Sequence, residues 1–187
     1  MVTRRVQLIG MRTGGKRRPG GAIRVLKVSI EAVIKTLEKQ FAKLYKDIDA
    51  QLDKHFKEQT KRFVDIEGVG PMTCATVQAF RPELGTISLG RTTKLAGLAP
   101  LNQDSGKARG KHHVWGGRSI VRSTLHMAMF SAGRCNPVIK EFYDRLIVAG
   151  KPKMVALSAC SHELLRILNA MARTGQPWDE EFQAVKP

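Results

Sequence analysis

No stretch of the sequence approaches the roughly 20 consecutive apolar residues that a membrane-spanning helix needs. The N-terminus is basic but lacks the apolar centre of a signal peptide. Both absences predict a soluble protein that stays inside the cell and has no membrane partner. Cysteine is scarce: Cys74, Cys135 and Cys160 are scattered, and no two stand in a CxxC spacing. An odd set of separated thiols does not make a disulfide framework, so the three are expected to be small apolar packing residues. Histidine does not complete a zinc site. His112 and His113 are adjacent, and Cys160 with His162 is one short pair without the further ligands of a tetrahedral ion.

Acidic residues are few and dispersed. Asp47 and Asp49 lie two apart on a predicted helix, about 200° around it, and diverge. Asp65 and Glu67 flank a turn, and only Glu141 and Asp144 share a helical face. No three or four acids converge as a magnesium site requires. No metal is therefore assigned to this chain, and no cofactor is expected in it.

The deficit of acids is matched by a surplus of bases. Lys and Arg number 32 against 16 Asp and Glu, a formal charge of +16. Such a surplus points to a polyanion, with nucleic acid the leading partner. Hydrophobic residues make up 42% of the chain, enough to pack a core.

Residues 1–24 read as a basic arm. Residues 1–26 hold Arg4, Arg5, Arg12, Lys16, Arg17, Arg18 and Arg24 with no acid, and Gly14-Gly15 and Pro19-Gly20-Gly21 are expected to break any helix. Residues 25–60 differ. Ile30, Ile34, Leu37, Phe41, Leu44, Ile48, Leu52 and Phe56 recur every three or four positions, a stripe near heptad spacing. A helix of roughly 30 residues and about 45 Å is expected there. Its single stripe needs another helix, either from this chain or from a second copy in a homo-oligomer.

The remainder, 61–178, reads as one helical domain with a tail at 179–187. Near its start, Gly68 and Gly70 form a turn and Pro71 opens the next helix. That is the helix-hairpin-helix pattern. Its glycines permit close backbone approach, and free N–H groups at the helix start can hold a phosphate. Gly68, Gly70 and Thr73 are the candidate contacts. A short connection and a small apolar helix around Leu95–Leu98 follow, and then the polar, glycine-rich segment 102–118. Helices are expected at about 119–132, from Asn136-Pro137 to about 149, and at 154–172, with Gly175-Gln176-Pro177-Trp178 ending the last. No alternating strand series is present. The fold class is all-α, with at most a small hairpin near 105–116.

The segment 102–118 is the best place for chemistry. Ser105 sits beside Gly106, with Lys107, Arg109 and Lys111 at alternate positions and Arg118 and Arg122 beyond. Alternate spacing aims the first three cations to one side of an extended strand. Cations lower the pKa of a hydroxyl and neutralise the phosphate it attacks. Ser105 is the candidate nucleophile, and the five cations are candidate DNA or RNA contacts. The plainer reading makes Asp104-Ser105-Gly106 only a turn.

The stretches IEGVGPMTCATVQAF (66–80), LAGLAPLNQDSGKARGKHHVWGGR (95–118), NPVIKEFYDRLIVAGKPKMVALSAC (136–160) and LNAMARTGQPW (168–178) resemble one family in its own order. It is the DEDD transposases of bacterial insertion sequences, the IS-one-ten-type bridge recombinases. The resemblance implies an N-terminal RuvC-like domain whose acids hold Mg²⁺, a coiled-coil segment, and a C-terminal transposase domain with a nucleophilic serine. That serine falls on Ser105, and the resemblance implies a covalent phosphoserine link to DNA. It also implies a bridge RNA as partner and a bacterial cytoplasmic location. VTRRVQLIGMR resembles the end of the RuvC-like domain, so the acids are expected upstream of Met1 and the chain is expected to be inactive alone. Two other readings compete with a transposase domain. One is a non-catalytic DNA- or RNA-binding module that competes with the full transposase. The other is a structural helical protein whose charge only keeps it soluble.

Overall fold

The structure, a computed structural model, describes residues 1–17, 24–101 and 113–179. It contains eight helices among the described residues and one antiparallel pair of two-residue strands, so the fold is all-α. The chain divides into two compact units, residues 1–57 and 58–187. No helix of the described residues is long and apolar enough to cross a membrane.

The first unit is a pair of helices, α1 (Val2–Arg17) and α2 (Arg24–His55). The least exposed side chains of α2 are those of the expected stripe: Leu37, Phe41, Ile48 and Leu52 are buried. Phe56, the last residue of the stripe, is 42% exposed. Leu8 of α1 is buried with Leu37 and Phe41. Arg5 donates to the Tyr45 hydroxyl at 3.0 Å, and the Arg12 guanidinium lies 4.9 Å from the centre of the Phe41 ring. The two helices run antiparallel, since Arg5 meets Tyr45 while Gly15 lies against Ile34.

This corrects the reading of residues 2–17 as a helix-broken arm. Gly14 and Gly15 lie inside α1. Two glycines cost a helix about 1 kcal/mol each relative to alanine, and packing of one helix on another outweighs that. Gly15 also sits where a Cβ would come within 3.3 Å of Ile34 Cγ1, so its lack of a side chain permits the close approach. The expected helix 25–60 likewise ends at His55. A separate helix, α3 (Lys57–Val64), follows and belongs to the other unit, where Phe63 is buried at 1%.

The second unit contains α3, α4 (Pro71–Phe80), α5 (Leu89–Ala96), the strands β1 (Pro100–Leu101) and β2 (His113–Val114), α6 (Ser119–Cys135), α7 (Pro137–Val148) and α8 (Lys153–Thr174). Helix α6 is its centre, packed against α4, α5, α7 and α8. Its buried residues Val121, Leu125, Ala128, Met129 and Ala132 recur at helical spacing on one face. Helix α8 supplies Cys160, Leu164, Leu165, Leu168 and Met171 to the same core.

Local chemistry sets the helix ends. The Asn136 side chain accepts from the Ile139 N–H at 3.0 Å and Pro137 opens α7, an N-cap followed by a proline that needs no donor. Gly175 closes α8 in the left-handed conformation with φ 71°. Cys74 and Cys160 are packing residues as expected, but Cys135 is exposed. It occupies the last position of α6, where the helix runs out of the core.

Candidate nucleic-acid interface

Helices α3 and α4 are joined by the glycine turn at 65–70. Ile66 and Val69 are buried, and the Val69 N–H donates to the Ile66 carbonyl at 2.9 Å. Gly68 has φ +91°. A Cβ on it would lie 2.5 Å from Ala132 Cα and 2.8 Å from Ala132 Cβ. Gly68 is therefore demanded by contact with α6. Gly70 caps α4 with φ −88°, Pro71 following it, and a Cβ there would meet nothing within 4 Å. Its carbonyl accepts from the N–H groups of Thr73 at 2.9 Å and Cys74 at 3.2 Å.

A second construction joins α5 to α6. Helix α5 ends at Gly97, left-handed at φ 68°. The chain leaves through β1 and returns through β2, with Pro100 opposite Val114 and Leu101 opposite His113. Beyond β2, Gly116 and Gly117 both have positive φ, 75° and 63°. Gly117 is pressed onto the end of α5: a Cβ on it would lie 2.7 Å from Gly97 Cα and 2.7 Å from the Leu95 oxygen. The Arg118 N–H donates to the same Leu95 oxygen at 2.8 Å. Arg122, in the first turn of α6, donates from Nη1 to the Gly116 carbonyl at 2.6 Å and the Gly97 carbonyl at 3.2 Å. Together these contacts form a clasp that ties the end of α5 to the residues that lead into α6.

Three charged groups brace the clasp from beneath. Arg118 Nη1 donates to the Phe80 carbonyl and to Glu83 Oε1, the latter at 2.5 Å. Glu83 also faces the Arg81 Nε at 3.4 Å, an ion-pair distance without hydrogen-bond geometry. Arg81 is one of the largest fully buried side chains. It donates from Nη1 to the Thr92 carbonyl at 2.8 Å, while its Nη2 has no hydrogen-bond partner among the described residues. Burial lowers the pKa of this guanidinium, Glu83 pulls it back up, and Arg118 pushes it down. Burial by itself would raise the Glu83 pKa. Its backbone hydrogen bond, the Arg118 hydrogen bond and the charges of Arg81 and Arg118 outweigh that and hold it below the ordinary value.

The expected site residues are thereby sorted. Ser105, Lys107, Arg109 and Lys111 lie outside the described residues. Thr73 is buried at 8% and Gly68 is spent on α6. Of the three, only Gly70 has open space where a Cβ would stand. Arg118 and Arg122 stand at the foot of the loop, but each gives hydrogen bonds to carbonyls of its own chain. Their first role is to close the clasp, and the Arg118 side chain remains 39% exposed. Of the small hairpin expected near 105–116, only 113–116 are described, and β2 pairs with Pro100–Leu101 rather than within that interval.

Sequence reasoning missed Arg81, Glu83 and Gly97. Arg81 carried one signal, its place at the end of an apolar helix just before Pro82, but its partners are far away in sequence. Glu83 is tied to two arginines and Glu163 to Arg166, and among the described residues no three His, Cys, Asp or Glu side chains are grouped to hold a metal.

Residues 60–144 match the family described as Transposase IS116/IS110/IS902 family. That interval holds most of α3, the glycine turn, α4, α5, the clasp and α6. The chain is also 25% identical, over 175 residues, to the insertion element IS110 uncharacterized 43.6 kDa protein of Streptomyces coelicolor. The similarity covers 89% of this chain and 41% of that relative, so the chain spans well under half of its length. Over residues 60–144, then, the chain is similar to the Transposase IS116/IS110/IS902 family.

Proposed function

We propose that this domain holds DNA during transposition and presents Ser105 to the DNA backbone. The observation that carries the reading is the clasp. Gly97, Gly116, Gly117, Arg118 and Arg122 tie the end of α5 to the start of α6, and Ser105, Lys107, Arg109 and Lys111 lie between these two points in the sequence. A loop with fixed ends limits the positions its nucleophile samples, which is what an in-line attack on phosphorus needs. In the step proposed, Ser105 Oγ loses its proton and forms a bond to phosphorus. The bond from phosphorus to the departing strand oxygen breaks, and that oxygen takes up a proton. A strand hydroxyl later attacks the phosphoserine and regenerates Ser105, so no phosphodiester is lost to water.

The α3–α4 pair acts in this reading as a helix-hairpin-helix that meets the DNA backbone at Gly70. The charge of +16 supplies the sequence-independent attraction. A bridge RNA is a second proposed partner, and self-association through the α1–α2 unit is proposed from the heptad stripe. Magnesium belongs in this reading to carboxylates of a RuvC-like domain, since the acids described here do not fit it. The chain by itself is therefore proposed to bind DNA without transferring strands.

Two measurements test the reading. Affinity for DNA should fall by about 10³–10⁵ between roughly 50 and 200 mM salt if about 6–10 phosphates are contacted. A complex supplied with the acidic domain should give a covalent protein–DNA adduct that survives denaturation and is abolished by Ser105→Ala. Salt-sensitive binding with no adduct under any condition would leave a non-catalytic binding module. Binding that ignores salt would remove the DNA reading altogether.

A further inference from the structure

Trp115 is 76% exposed. An indole is among the largest apolar side chains, and leaving its face in water forgoes the burial that normally employs it. The exposure does not come from a loosely held backbone. Val114, immediately before it, pairs with Pro100 in the strand ladder and packs against the core of the second unit. Gly116, immediately after it, has its carbonyl held by Arg122 at 2.6 Å, and Gly117 is wedged onto Gly97. Both neighbours of Trp115 are thus fixed, and the ring is displayed from a braced position.

Basic residues belong to the same clasp. Arg118 follows three residues later, and its N–H joins the Leu95 carbonyl at the end of α5, where Lys94 and Leu95 are exposed. The carboxylate bonded to Arg118, Glu83, is also paired with Arg81. An exposed aromatic face on a clasp that carries basic residues suits one class of ligand, a nucleobase with its own phosphate backbone. A base within a duplex is covered on both faces by its neighbours and cannot stack on a side chain. An unpaired base can.

We infer that Trp115 is a stacking platform for an unpaired nucleobase, of DNA or RNA, on the clasp between α5 and α6. The inference deepens the proposed nucleic-acid function and rests on it.

The test uses the full chain with Trp178→Phe, so that Trp115 is the one fluorescent indole. The protein is titrated at fixed ionic strength with oligothymidylate, oligouridylate and a duplex DNA of matched phosphate count. Either single strand should quench the Trp115 emission, and the stronger quencher identifies DNA or RNA as the source of the base. The duplex should bind with little quenching. Trp115→Ala should weaken single-strand binding about 5- to 150-fold, the affinity equivalent of ~1–3 kcal/mol for one stacked base. Trp115→Phe should recover most of that, and duplex affinity and salt dependence should be unchanged in both. Single-strand binding without quenching, or an equal loss for duplex and single strand on Trp115→Ala, overturns the platform while leaving DNA binding intact. Failure to bind any of the three probes removes the parent reading together with the platform. A blue-shifted emission on phosphatidylserine vesicles, with no response to oligonucleotides, would reassign Trp115 to a membrane surface and overturn the inference.

Discussion

Replacing Glu83 by glutamine removes one negative charge from beneath the clasp and changes almost no volume. Its Oε1 lies 3.4 Å from Arg81 Nε and 2.5 Å from Arg118 Nη1. The side chains of Arg81, Glu83 and Arg118 are 0%, 20% and 39% exposed. The cost is dominated by Arg81, a guanidinium without access to water whose ion-pair partner in the structure is Glu83. Breaking a buried pair from one side costs about 3–5 kcal/mol. Glu83 keeps some contact with solvent and the amide oxygen can still accept from Arg118, so about 2–3 kcal/mol is expected. The more exposed Arg118–Glu83 contact adds little, about 0–1 kcal/mol. In thermal unfolding followed by circular dichroism, the loss corresponds to a Tm lower by roughly 5–10 °C for a chain of this length. The effect has a pH signature. The folded carboxyl titrates below its unfolded value of about 4.3, so the unfolded state binds the proton first. The stabilisation is complete above that value and is lost as pH falls through the folded pKa. The gap between wild type and Glu83→Gln should be constant from roughly pH 6 to 8 and close in acid. A variant within about 0.5 kcal/mol of wild type at neutral pH, the range of ordinary surface substitutions, would refute the account of Arg81. So would a gap that persists unchanged in acid.

Glycine packing in the clasp and burial of the thiols carry two further predictions. The paired glycines of the clasp should respond unequally to alanine: Gly117→Ala meets backbone at 2.7 Å and should lose about 2–4 kcal/mol in urea unfolding, whereas Gly116→Ala meets nothing within 4 Å and should lose only the left-handed strain of about 1–2 kcal/mol. Equal losses would show that the clasp is not close-packed. Thiol titration of the native protein near neutral pH should count one fast-reacting cysteine, Cys135, since burial pushes Cys74 up to about 12 and Cys160 up to about 11 and only the thiolate reacts. Rapid modification of all three before unfolding would contradict the packing of α4 and α8.

What could be read from the sequence follows the range of the interactions involved. The stripe from Ile34 to Leu52 repeats within one helix, and its buried members are those the spacing picks out. Asn136-Pro137 and Gly175 also act within a turn of their own positions, so they mark the ends of α7 and α8 correctly. Gly14-Gly15 failed as a helix breaker because the deciding contact, Leu8 with Leu37 and Phe41, joins residues about thirty positions apart. Local propensity cannot report such a contact. Gly68 was assigned a ligand because a positive-φ glycine in a turn looks the same in sequence whether its open side meets a phosphate or the backbone of Ala132.

The same ambiguity applies to the cations, and resolving it changes how the loop must work. In sequence, Lys107, Arg109, Lys111, Arg118 and Arg122 read as one run of phosphate contacts. In the structure Arg118 and Arg122 spend donors on the carbonyls of Phe80, Gly97 and Gly116. A guanidinium carries five donors in a rigid fork, so an arginine can brace the backbone with one edge and leave another for a ligand. Lysine, a flexible single point of charge, cannot divide itself in that way. The basic residues near Ser105 therefore fall into two groups by position. Arg118 and Arg122 join the start of α6 to the end of α5, while Lys107, Arg109 and Lys111 are the cations that the proposed function assigns to phosphate. Rigidity at the foot and charge beyond it are separate requirements, and the glycines that press Gly117 onto Gly97 serve only the first. Under the proposed function, charge supplies the attraction to DNA and the clasp supplies a repeatable line of approach for Ser105.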